Sequence, residues 1–142
     1  MTHSPAHVTA YLLELLELGS IGGATWPVRV GKEPDTPDNC LTTYNTAGRD
    51  QGRLMRNGAR KEMFGVMIRV RSSNEPDGAA KAYAIAEAID LVYQRYVTVD
   101  GTQYFVHSAS RPSSVLANGE ELGISKRRVF TVNILLNVRQ VT

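Results

Sequence analysis

From Met63 to Arg71 hydrophobic and other positions alternate strictly: Phe64, Val66, Ile68 and Val70 fall on one face, and the other ends in Arg69 and Arg71. Period two with one apolar face is the pattern of a half-buried strand. After Pro76-Asp77-Gly78 the period changes. Ala79 to Arg95 reads as a helix in which Ala82, Ile85, Ala86, Ile89, Val92, Tyr93 and Tyr96 make a broad apolar stripe, with Glu87, Asp90 and Gln94 on the wet side. Ala80, Ala84 and Ala88 add a row of small residues that lets a sheet or a neighbouring subunit approach closely.

Upstream, Met1 to Ala6 reads as a loose end, and Ser4-Pro5 as an N-cap with proline in the first turn. The first helix is expected from about Pro5 to Leu18, with Val8, Tyr11, Leu12, Leu15, Leu16 and the following Ile21 facing the core. Gly19 is placed to stop it in a left-handed conformation. Trp26 to Val30 and Cys40 to Asn45 read as strands, separated by the stiff polar stretch Pro34-Asp35-Thr36-Pro37-Asp38-Asn39. Asp100-Gly101 joins Val97–Val99 to Tyr104–His107 as a hairpin. Val129 to Val138 alternates again, and Phe130, Val132, Ile134, Leu136 and Val138 give it one dry face.

Periodicity fails twice. Residues 46–61 read as a long mobile loop or a hairpin arm, and 110–125 as a second irregular loop. The whole, 1–142, is expected to be a single α+β domain: a mixed or antiparallel sheet of about five strands with two helices packed on one face. Its core should hold Phe64, Val66, Ile68, Val70, Ile85, Ile89, Phe130, Val132, Ile134 and Leu136.

The 142 residues are enough for one domain without covalent staples, and the single cysteine, Cys40, excludes an intrachain disulfide. The N-terminal apolar stretch carries Glu14 and Glu17 and lacks a basic leader, so neither a signal peptide nor a membrane span is expected. A soluble protein that stays where it is made follows. The net charge of +2 does not by itself call for nucleic acid. Its distribution is less even: Arg49, Arg53, Arg56, Arg60 and Lys61 face only Asp50 within their segment. Such a cluster suits phosphates, lacks the aromatics that stack single-stranded bases, and fits equally a solvated loop or a protein-binding arm. Together with Arg69, Arg71, Lys126, Arg127 and Arg128 these residues are the candidate partner-interface set.

Catalytic chemistry finds no foothold. His3, His7 and His107 have no partners at metal-ligand spacing, so neither a metal nor a cofactor is expected. Leu18 to Gly23 superficially resembles a phosphate loop, but it follows a helix rather than a strand. Glu120-Glu121 and the pair Asp35 and Asp38 read as solvated loop carboxylates. No serine stands in a nucleophile elbow, and Cys40 has no adjacent histidine. The chain is expected not to be an enzyme.

The order of features resembles a known family. A leucine-rich first helix is followed by Pro34-Asp35-Thr36-Pro37-Asp38-Asn39, Leu41-Thr42-Thr43-Tyr44-Asn45 and Gly48. Then come Ile68-Arg69-Val70-Arg71, the helix Ala79 to Ile89, and a last alternating strand with an asparagine in its middle. This looks like the tail terminators, or tail-completion proteins, of tailed bacteriophages. The resemblance implies a virion protein, made in the bacterial cytoplasm, that forms a ring of typically six subunits on the head-proximal end of the tail tube. Such a ring ends tube growth and offers a surface for head–tail joining in the neck. Its implied partners are itself, the tail tube protein, the head–tail connector protein and possible lumen DNA, with no membrane. Two alternatives stay open: a head-completion or connector protein on the portal side, and a small nucleic-acid-binding module using 49–61. An enzyme with a cleft invisible in sequence is a third class.

Overall fold

The structure, a computed structural model, describes residues 2–53, 60–120 and 127–141. Helix α1 spans Pro5–Leu15. It starts where expected, because Ser4 is extended and its Oγ accepts the His7 N–H at 3.3 Å, with Pro5 in the first turn. It ends earlier than expected. Leu16 caps it, and the left-handed residue is Glu17 (φ 61°), not Gly19. Gly19 serves close approach instead: a Cβ there would stand 2.5 Å from Val28 Cγ2 and 2.9 Å from Leu41 Cδ1. Its buried face is Ala6, Val8, Thr9, Ala10, Leu12 and Leu13, so Leu13 is fully buried while Leu15, expected in the core, is 48% exposed.

Strand β1 (Val28–Val30) lies parallel to β2 (Cys40–Arg53), which pairs antiparallel with β3 (Arg60–Ser72). Residues 46–53 and 60–61 are therefore strand, so of the two expectations for 46–61 the hairpin arm holds and the mobile loop is corrected as far as the segment is described; residues 54–59 lie outside the described residues. Both faces of this ribbon meet water around Asn45 to Arg49, so backbone hydrogen bonds hold it and side-chain alternation does not announce it. Its register shifts between Thr46 and Arg49 and again between Asp50 and Arg53, as at β-bulges.

Helix α2 spans Glu75–Asp90, with Asn74 as N-cap and Leu91 as C-cap. The chain then enters β4 (Tyr93–Val99), so the helix does not reach Arg95, and Tyr93 and Tyr96 are exposed strand residues rather than part of an apolar helix stripe. Asp100 and Gly101 both have positive φ, 46° and 83°, and turn β4 into β5 (Thr102–Ser110) as a two-residue hairpin. Strand β6 (Leu116–Glu120) lies in the expected loop at 110–125 and pairs with β7 (Arg128–Gln140). Short and mostly exposed, β6 lacks the apolar face that would mark it.

These strands form one mixed sheet of seven, more than the expected five, in the order β1-β2-β3-β7-β5-β4 with β6 beside β7. Two helices with this sheet make an α+β fold. Strand β7 is central: β3 runs along one edge of it, and β5 and β6 share the other. Val66, Ile68 and Val70 of β3, Val132, Ile134 and Leu136 of β7, Leu12 of α1 and Ile85 and Ile89 of α2 share one buried cluster. Phe64 flanks it half-buried. Each such aliphatic side chain taken out of water contributes about 1.5–3 kcal/mol.

Candidate functional site

The expected interface arginines divide into two groups. At the open end of the β2–β3 hairpin, Arg71 is only 2% exposed and each of its guanidinium nitrogens is committed inward. Nε donates to the Asp38 carbonyl (3.2 Å), Nη1 to Glu33 Oε1 (2.9 Å) and Nη2 to the Pro37 carbonyl (2.8 Å). Arg127, 8% exposed, donates from Nε to Asp38 Oδ1 at 2.8 Å and from Nη2 to the Asp35 carbonyl. Arg69 stands with Nε 2.7 Å from Glu33 Oε2, an ion pair whose geometry does not meet that of a hydrogen bond. Thus Arg71 and Arg127 hold the 33–39 loop against the sheet, and their guanidinium groups face inward rather than toward a partner. Ser72 Oγ and the Ser73 N–H both donate to Asn39 Oδ1, which closes the same end.

The second group lies toward the closed end. Arg49 is exposed, paired in register with Met63. Arg53 and Arg60 face each other in register and Lys61 follows, all on strand backbone; Arg56 and Lys126 lie outside the described residues. Arg128 starts β7 half-buried, opposite Ser72. The hairpin therefore carries buried, internally spent arginines at one end and a dense run of basic residues at the other.

Four further features were not flagged in the sequence. The N-terminal residues are tied down, contrary to the loose end expected: the Thr2 N–H donates to Gln140 Oε1 (2.9 Å), and the His3 N–H to Tyr104 Oη (2.9 Å). Tyr11 Oη donates to Asp100 Oδ1 (2.9 Å), and that bond raises the Tyr11 pKa. Lys81 donates Nζ to the Leu18 carbonyl (2.9 Å) with its ammonium 5.0 Å from the Trp26 ring centre, and burial lowers its pKa. Finally, Leu91 (82% exposed), the C-cap of α2, stands just before the exposed Tyr93 (70%) and Tyr96 (54%) of β4, an edge of the sheet. A long edge strand with exposed apolar side chains is a surface that natural proteins ordinarily cover or blunt.

Among the described residues, no group of three His, Cys, Asp or Glu side chains stands close enough to hold a metal ion. No described helix is long and apolar enough to cross a membrane. Cys40 is buried and forms no disulfide.

The sequence profile of a family described as bacteriophage tail terminator protein matches residues 17–134. Among solved structures, a chain of the "Virion of native gene transfer agent (GTA) particle" shares the fold with a TM-score of 0.51 at 13% identity, over 93% of this chain and 86% of that one. A second solved chain, 14% identical over 98% of both chains, has a TM-score of 0.48. No curated protein matches.

Proposed function

Since the chain belongs to the bacteriophage tail terminator family, and is thus a virion structural protein of the tail, we propose that it forms a ring on the head-proximal end of the tail tube. On this reading the ring, of six subunits, stops tube growth in the neck and provides the surface on which the head–tail connector protein docks, without enzymatic chemistry. Its partners are further copies of itself, the tail tube protein and the connector.

The match over residues 17–134 carries the reading. The fold supports it in one respect: the basic closed end of the hairpin and the loop-covered open end are different surfaces on opposite ends of one element, which suits the head-to-tail contacts of a closed ring.

The test removes the protein from an assembling phage. The expected result is tails of uncontrolled length that do not join to filled heads, with normal length and joining restored when the protein is supplied in trans. Normal tails joined to heads in its absence would overturn the reading. Tails of normal length that only fail to join would assign the protein to the portal side.

A further inference from the structure

Two adjoining clefts, of about 300 and 310 Å³, share Trp26 and Asn39 as a common wall. One is completed by Thr25, Pro37, Asp38 and Ser73, the other by Asp77, Ala80, Lys81 and Ala84. Trp26 is half-buried and sits in the left-handed region (φ 47°), where a bulky side chain is rare. Two carboxylates rim the clefts. Asp77 is exposed and has no ion pair among the described residues, while Asp38 is 52% exposed and gives only Oδ1 to Arg127. The cation already present, Lys81, is held by the Leu18 carbonyl and stands over the Trp26 ring, 5.0 Å from its centre, so the opposite ring face is the one offered to a second cation. An aromatic ring beside exposed carboxylates, over a floor of alanines, is the chemistry that takes a guanidinium: the ring stacks its face and the carboxylates bind its edge.

The chain itself carries a dense source of guanidinium groups in 49–61, and its own copy lies out of reach. Asn39 immediately precedes β2 and Ser73 immediately follows β3, so the clefts sit at the open end of the hairpin. The basic residues lie toward the closed end: Arg49, the nearest to the clefts along β2, is ten residues past Asn39, roughly 30 Å at strand rise. We propose that the paired clefts around Trp26 are the docking site for the arginine-rich hairpin arm, residues 49–61, of a second copy of this chain. The inference rests on the head-to-tail ring for the presence of that copy, and charge complementarity between arm and cleft identifies it.

Trp26 is the single tryptophan of the chain, so its emission reports on the clefts directly. The purified full-length protein is titrated with a disulfide-cyclised peptide of residues 49–61. The expected result is a saturable change in Trp26 emission that weakens as salt rises. Asp77→Lys should weaken binding by at least about tenfold. Asp77→Asn, which leaves the Asn74 cap in place, should weaken it less, and the peptide with its arginines changed to Gln should not bind. A melting curve for each variant separates lost binding from lost folding. No emission change, or one that both Asp77 variants leave intact, would overturn the proposal. So would a peptide that binds duplex DNA at the same salt and leaves Trp26 unaltered, which would assign the arm to nucleic acid. Because the titration needs no ring, its failure is separate from failure of the functional reading: particles with the ring but no peptide binding would sink only the cleft assignment.

Discussion

Arg71 and Glu33 lie 38 residues apart in the chain and meet at 2.9 Å beneath the 33–39 loop, the arginine 2% and the glutamate 13% exposed. A charge pair so nearly removed from water is stable only while every donor is satisfied, and the carbonyls of Pro37 and Asp38 complete that set. The loop that sequence marks as stiff and polar is thus a cover fastened to the sheet by an arginine from the third strand.

Removing that fastening should cost far more than removing its exposed neighbour. Arg71→Ala removes the partner of Glu33 Oε1 and of two carbonyls and is expected to lower stability by about 3–5 kcal/mol. Arg69→Ala, at a side chain 33% exposed, should cost about 1 kcal/mol or less. Urea denaturation of both variants checks the order, and equal midpoints would show the loop to be held by other means.

In the core, Ile68 and Ile134 lie on the adjacent strands β3 and β7, opposite Val132 and Val66, and are at most 1% exposed. Truncating either to alanine is expected to cost about 2–5 kcal/mol. Phe64→Ala, at the half-buried flank, should fall at or below the low end of that range. Chemical denaturation monitored by far-UV circular dichroism distinguishes them.

Gly19→Ala should destabilise the protein although the backbone there is not left-handed. The added Cβ meets Val28, Leu41 and the Trp26 carbonyl, a backbone atom 2.9 Å away that cannot swing aside. A loss of about 1–3 kcal/mol is expected. A neutral Gly19→Ala with a destabilising Gly101→Ala would mean that the first junction relaxes and only turn geometry is strict.

The pair formed by Asp90 at the end of α2 and Arg111 sets a small acid dependence. Arg111 donates Nε and Nη2 to the two carboxylate oxygens at 2.9 and 2.7 Å, and this bonding lowers the Asp90 pKa. A carboxyl whose folded pKa lies below its unfolded value adds stability above the ordinary aspartate range. That stability is lost as pH falls through the folded pKa. Because both groups are partly exposed the contribution stays under about 1 kcal/mol. Asp90→Asn should flatten the stability profile across that acidic window and leave the profile above pH ~6 parallel to that of the parent.

Much of this architecture was legible because apolar positions repeat at the right period: Val66, Ile68 and Val70, and Val132, Ile134 and Leu136, are buried as alternation requires. The Ser4 cap and the Asp100-Gly101 turn were legible because each needs particular residue types locally. The arm was half legible, since exposed pairing rests on backbone groups that every sequence has. The end of α2 was missed because Ile89, Val92, Tyr93 and Tyr96 satisfy helical spacing as well as an apolar run into a strand, and no glycine marks the break at Leu91. Arg71 and Arg127 were misplaced on the surface because their acceptors, carbonyls and carboxylates of the 33–39 loop, lie some 30 to 90 residues away, invisible to any local pattern. The cleft around Trp26 is likewise assembled from distant segments.

Strand β7 fills the middle of the sheet yet follows every other element in the order of synthesis. Until it emerges from the ribosome, β1 to β3 and β4 to β5 are two half-sheets that share no strand pairing. Completion of the sheet therefore waits on β7, which pairs with both halves. A nascent chain stalled before residue 128 should be open to proteolysis throughout, whereas the finished one should resist.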